Sequence, residues 1–122
     1  MHAVIEMPTF VKSAKEASVS EDEIAGIVTI IASNPEAGDV IPGTGGARKL
    51  RVAGKGKGKS GGYRVITYFA GDDIPVFLLD LYSKGQKVNL TQAERNALRA
   101  ILSAIAEAYR KSVASKVATL GK

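Results

Sequence analysis

The chain has 122 residues, 45% of them hydrophobic and 24% charged, which suits one soluble globular domain with a modest core. It contains no cysteine, so disulfides, thiolate metal ligands and thiol nucleophiles are excluded, in keeping with a reducing cytosol. The net charge of +5 is moderate, but it is unevenly placed. Residues 1–39 sum to −5, residues 40–71 hold seven cations and no acid, and residues 72–122 sum to +3. Seven cations without local counter-charge create a positive field that attracts polyanions.

In chain order, Ala3–Met7 reads as a short strand, and the stretch from Pro8 to Ala17 as a short helix or turn. Ser20 followed by Glu23 is a capping box that starts a helix. Its apolar stripe is Ile24, Ile27, Val28 and Ile31, and Pro35 ends it, because the residue before a proline is driven out of the α region. `IPGTGG`, Ile41–Gly46, is a loop dense in turn residues. Three strands follow: `ARKLRVA`, `YRVITYFA` and `IPVFLLDLY`, the last two joined by a hairpin at Gly71-Asp72-Asp73. Thr91 and Glu94 form a second capping box before a long helix with the stripe Leu98, Ile101, Leu102, Ile105, Ala108 and Tyr109. Its end, residues 113–122, is expected to fray. The order describes a single α+β domain over residues 1–122: a small, mostly antiparallel sheet with helices on one face.

The opening `MHAVIEMPTF` lacks the basic start and apolar run of a signal peptide, and no apolar run approaches the ~18 residues a membrane span needs. A cytoplasmic protein without membrane contact is expected. Its single histidine, His2, lies beside a terminus expected to be mobile, which argues against a Ser-His-Asp triad or a histidine metal site. No H-E-x-x-H or EF-hand pattern occurs, and no cofactor is implied.

The stretch `AGKGKGKSGGYRV` is a near miss to a phosphate-binding P-loop: Gly58-Lys59-Ser60 fits, but Ala53 stands where the first glycine belongs. A P-loop must also open a helix so that its amides point at the phosphate, and the residues that follow read as a strand. The better reading is a flexible basic arm over residues 53–62. In it Lys55, Lys57 and Lys59 alternate with glycines and suit sequence-independent contacts to a phosphate backbone.

Strand alternation places Lys49 and Arg51 on one face, with Arg48 on the other beside Leu50 and Val52. Arg64, Ile66 and Tyr68 share a face of the next strand. In the last strand Leu78, Asp80 and Tyr82 share one face, and Phe77, Leu79 and Leu81 the apolar one that should meet the helices. One surface could therefore gather Lys49, Arg51, Arg64, Tyr82 and, at the strand end, Lys84. An unpaired buried arginine is costly, so Arg64 either pairs with Asp80 or serves a ligand. With this inventory, phosphodiester cleavage is feasible when RNA is the substrate. Its own 2′-hydroxyl can be the nucleophile, and cations can stabilise the phosphorane oxygens.

The combination `IPGTGG`, `RKLR`, `KSGGYR` and `FLLDLYSKGQKVNLTQAE`, over roughly residues 38–105, resembles the HigB-type branch of the RelE/ParE toxin superfamily. The resemblance implies a small curved antiparallel sheet flanked by helices and a type II toxin–antitoxin toxin that inhibits translation by cutting mRNA on the ribosome. It implies Arg64 as a phosphate-stabilising residue, with Lys49 and Arg51 on the preceding strand and Lys84 after the last one. Tyr82 is a candidate for proton transfer, although relatives carry their tyrosine or histidine–tyrosine pair nearer the chain end. Arg48, Lys55, Lys57, Lys59 and Lys87 would hold RNA or the ribosome. The expected partners are the ribosome with its mRNA and a cognate antitoxin bearing a helix-turn-helix domain. A gyrase-inhibiting, ParE-like toxin and an inactive RNA-binding module are the alternative readings.

Overall fold

The computed structural model of the chain describes residues 2–54, 58–83 and 90–120, with the backbone alone for 54, 58–61 and 115–120. Strand β1, Val4–Glu6, leads into helix α1, Pro8–Glu16, whose first position is the proline. A proline is tolerated there because its missing N–H would have no helical partner anyway. Ser18, at a φ of 57°, turns the chain into helix α2, Glu21–Ser33. The capping box forms as the sequence predicts: Glu23 N donates to Ser20 Oγ and Ser20 N donates to Glu23 Oε1, both at 3.1 Å. The helix stops two residues before Pro35, also as predicted.

Strands β2 (Asp39–Val40), β3 (Ala47–Gly54), β4 (Gly58–Tyr68) and β5 (Val76–Ser83) complete a five-stranded sheet in the order β1-β5-β4-β3-β2. Only β1 runs parallel to its neighbour. The β3–β4 ladder extends to Gly54 opposite Gly58, with a register shift between Val52 and Gly54. Strand β4 thus begins five residues earlier than the sequence suggests. Gly62 permits the irregularity, since a Cβ there would collide with the Val52 carbonyl across the ladder. Helix α3, Gln92–Leu120, starts on the predicted Thr91–Glu94 box, again with two bonds of 3.1 Å. Among the described residues no helix is long and apolar enough to cross a membrane.

The helices cover both faces of the sheet rather than one. Tyr63 and Val65 of β4 point into a core with Phe10 of α1 and Ile27 and Ile31 of α2. Their neighbours Ile66 and Tyr68 point into a second core closed by Leu102 and Ala106 of α3. Strand β5 serves both through a bulge. Ile66 pairs with Asp80 but Thr67 pairs with Leu78, so Leu79 is the extra residue. Beyond it the alternation inverts. Phe77 joins the α3 core while Leu78 joins Leu81 in the α1–α2 core, where uninterrupted alternation had set Phe77 with Leu81. The α3 stripe is also rotated from the predicted one: Leu98, Leu102, Ile105, Ala106 and Tyr109 meet the sheet, whereas Ile101 is 53% exposed.

The `IPGTGG` loop docks on α3. Thr44, fully buried, donates from Oγ1 to the Ile41 carbonyl at 2.7 Å and accepts from Ala47 N at 3.0 Å. Gly45, at a φ of 78°, lies so close to α3 that a Cβ would stand 3.0 Å from Arg99 Cγ. Arg99 Nη2 then donates to the Gly43 carbonyl at 2.9 Å.

Gly26 has no such reason among the described residues. It sits mid-helix in α2, and a Cβ there would meet nothing within 4 Å. Gly26→Ala should therefore stabilise the fold by about 1 kcal/mol, because alanine loses less backbone entropy in a helix. A urea melt checks this through a raised midpoint, and a lowered one would contradict it.

Candidate functional site

Strand pairing puts three of the sequence candidates in one row. Arg51 of β3 is the Cα partner of Arg64 of β4, and Arg64 is the partner of Tyr82 of β5. Side chains directly opposite in a sheet point to the same side with Cβ atoms roughly 4.5–5.5 Å apart. The row stands on the α3 face, one step past Ile66 towards the β3–β4 hairpin tip. There α3 leaves the sheet open: Arg51 is exposed, and Arg64 and Tyr82 are half-buried. Neither arginine has an ion-pair or hydrogen-bond partner among the described residues. The predicted alternative, an Arg64–Asp80 salt bridge, does not form. Asp80 Oδ1 instead accepts Ser13 Oγ of α1 at 2.6 Å and the Leu81 N–H at 2.7 Å.

The adjoining row is Asp39, Lys49, Ile66 and Asp80. Lys49 shares the face with Arg51 but lies opposite Asp39, so its charge has an acidic neighbour across the ladder. Arg48 stands on the other face, where its Nη1 donates to the Glu36 and Gly38 carbonyls at 3.0 and 3.3 Å and ties down the approach to β2. Lys55, Lys57, Lys84 and Lys87 lie outside the described residues, as does the side chain of Lys59.

Tyr82 is flanked by two recesses. One, of about 260 Å³, runs under α3 and is lined by Ile66, Leu79, Leu90, Leu98 and Ile101, with Asp80 and Glu94 at its wall. The other, of about 290 Å³, is polar and is lined by Ser13, Glu16, Asp80 and Ser83. Burial pushes the Tyr82 phenol above its ordinary pKa, and the neighbouring Asp80 carboxylate and then the charge of Glu94 push the same way. A larger recess of about 550 Å³ lies across the sheet, between α2 and β3. Its lining of Asp22, Glu23, Ile27, Ile30 and Val52 has the wrong charge for a polyanion.

His2 is held rather than mobile. Its backbone N–H donates to the Ala32 carbonyl at 2.8 Å, its ring Nε2 lies 3.0 Å from the Ile74 carbonyl, and the ring packs edge-on against Phe69. Its contacts, Phe69 and Ile74, flank the β4–β5 turn, the opposite end of the sheet from Arg64, so it takes no part in the row. Among the described residues no cluster of His, Cys, Asp and Glu is arranged to hold a metal ion. Sequence reasoning missed the Ser13–Asp80 contact, which joins residues 67 apart and carries no local signal. It also missed Arg95, whose buried Nε has no partner among the described residues where α3 meets the Gly43 loop.

A small α+β domain thus opens one sheet face around two arginines that have no ion pair among the described residues. The model of the family described as the RelE toxin of the RelE/RelB toxin–antitoxin system matches residues 3–121, and the chain belongs to that family. It is the toxin side of a toxin–antitoxin pair, and an antitoxin is its partner.

The phenol offers a direct check on the row. Burial and Glu23 also raise the Tyr63 phenol, so absorbance titration should show phenolate formation later than that of free tyrosine from both residues, and Tyr82→Phe should remove only the Tyr82 share. Because the folded chain holds this proton more tightly than the unfolded one, its contribution to stability is intact at neutral pH. That contribution is lost as pH rises through the folded pKa. An unshifted Tyr82 share would contradict the packing of Tyr82 beside Asp80.

Proposed function

We propose that the protein is a HigB-type, ribosome-dependent mRNA endoribonuclease that inhibits translation in the cytoplasm, neutralised by an antitoxin carrying a helix-turn-helix domain. The observation that carries this reading is Arg51 directly opposite Arg64, with no counter-ion for either among the described residues. Like charges facing each other across a ladder destabilise it, so the pair is best explained by a ligand that supplies the missing negative charge. A phosphodiester does so, and the charge grows as the phosphorane forms. Donors fixed in advance on strands then hold the transition state better than the ground state.

Arg64, central in the row and flanked by both neighbours, stabilises the phosphorane oxygens. Arg51 holds the same phosphate from the exposed side, Lys49 extends the cationic track along β3, and Lys84 is assigned a phosphate contact from its place in the sequence. Tyr82 stands on the far side of Arg64, within one strand spacing, where it can exchange a proton with the reacting ribose or leaving oxygen. Lys55, Lys57, Lys59, Lys87 and Arg48 add contacts to ribosomal or messenger RNA that raise affinity without reading sequence. The ribosome bends the message so that the 2′-hydroxyl lies in line with the departing 5′-oxygen.

Induced expression of the wild type should arrest growth and leave primer-extension stops within translated codons. Arg64→Ala should lower cleavage by about 10²–10³-fold, the usual effect of removing one fixed donor to an oxyanion. Arg51→Ala should also weaken binding and reduce the slope of log affinity against log salt by roughly 0.7. Growth arrest with intact transcripts and stalled replication would instead favour a gyrase-directed toxin. Ribosome binding with neither effect would favour an inactive RNA-binding module.

A further inference from the structure

The row contains cations and a phenol but no group able to accept the 2′-hydroxyl proton: arginine stays protonated and a neutral phenol is a very weak base. The residue beside it can. Asp80 lies one pair further along the same face, opposite Ile66 and two residues before Tyr82 in a regular stretch of β5. Its carboxylate takes two donors, Ser13 Oγ and the Leu81 N–H, and the Tyr82 side chain stands beside it on the same face and in the same recess. Both donors fall on Oδ1, which leaves Oδ2 open among the described residues. Ser13 belongs to α1, so the carboxylate is braced from a different element than the one that carries it.

From this arrangement we infer that Asp80 is the positioning residue of Tyr82 and the final acceptor of the 2′-hydroxyl proton, passed on through the phenol. The inference rests on the RNA-cleavage reading above. Donation of the phenolic hydrogen to Asp80 turns the lone pairs of Tyr82 Oη away from the carboxylate, free to accept from a ribose hydroxyl. In the reaction the 2′-hydroxyl proton moves to Tyr82 Oη as the phenol's own proton moves to Asp80 Oδ2. Tyr82 is neutral before and after. The freed 2′-oxygen attacks phosphorus, and the 5′-oxygen leaves with the electrons of the broken P–O bond and takes a proton from solvent. The products are a 2′,3′-cyclic phosphate and a 5′-hydroxyl. Asp80 returns its proton to water through the polar recess that it lines with Ser13, Glu16 and Ser83.

The charged groups around the phenol fit these roles. Arg64 on β4 faces the phosphate side, and Asp80 on β5 and Glu94 on α3 keep the hydroxyl protonated until substrate arrives. Glu16 of α1 lies in the recess beyond Asp80.

The test uses the full chain on ribosomes programmed with an mRNA whose scissile linkage carries either oxygen or sulfur at the bridging 5′ position. A thiolate leaves without help from an acid, so the sulfur substrate separates proton removal from proton donation. Asp80→Asn keeps an Oδ1 acceptor for Ser13 but cannot take up the proton. It should lower kcat by about 10²–10⁴-fold with KM little changed, and the deficit should persist on the sulfur substrate. Because the two residues act as one unit, the double variant with Tyr82→Phe should be no slower than either single variant. Melting curves of Asp80→Asn and Tyr82→Phe report folding, and the double-mutant cycle stands even if both lose some stability. Rescue of Asp80→Asn by the sulfur substrate, or multiplicative losses in the double variant, would overturn the inference and leave the nuclease reading intact. A wild-type chain that cuts neither substrate would sink the nuclease reading itself.

Discussion

The constraint on which the rest of this molecule depends is the juxtaposition of Arg51 and Arg64 across the β3–β4 ladder. Two guanidinium groups set opposite each other, neither of them ion-paired among the described residues, work against folding by some tenths of a kcal/mol. The sheet tolerates this because its cohesion comes from elsewhere. Tyr63 and Val65, the residues on either side of Arg64, are buried in the α1–α2 core. The arginine pair is thus carried on a strand whose other face is locked, which fixes the spacing of the two cations without an ion pair to hold them.

The bulge at Leu79 has the next most consequence. It lets one strand feed two cores: Leu78 and Leu81 pack under α1 and α2, and Phe77 packs under α3. Asp80 and Tyr82 stand on the open side in the regular stretch that follows it, with Asp80 turned to α1 through Ser13 rather than to Arg64. Had Asp80 paired with Arg64, that cation would be neutralised. Ser13 instead ties one oxygen of the carboxylate to α1, and Arg64 has no ion pair among the described residues.

Much of this arrangement is legible in the sequence, and the reasons are local. Both capping boxes, Ser20 with Glu23 and Thr91 with Glu94, depend on residues three apart, and both form. Period-two alternation places Lys49, Arg51, Arg64 and Tyr82 on one face because the ladder between Arg51, Arg64 and Tyr82 is regular. What the sequence hides depends on tertiary context. No glycine or proline marks the bulge at Leu79, so uninterrupted alternation sends Leu78 and Phe77 to the wrong sides. The second helical layer is hidden for the same reason: a strand that changes face midway has no single apolar period. His2 reads as a loose end because its anchors, Ala32 and Ile74, are distant in the chain. The stripe of α3 drifts past Ile101 onto Ala106, since an alanine-rich helix offers the sheet several nearly equivalent faces.

The central claim is that the arginine row, and not the groove beside α2, receives the scissile phosphate. Side-chain ¹⁵N NMR of the arginines, titrated with a dinucleotide whose 2′-oxygen is methylated so that it cannot be cut, tests this most directly. The account predicts that the Nε–Hε signals of Arg51 and Arg64 shift together and saturate together, while methyl signals of Ile27 and Ile30 stay in place. Shifts at Ile27 and Ile30 with both arginine signals unmoved would contradict it.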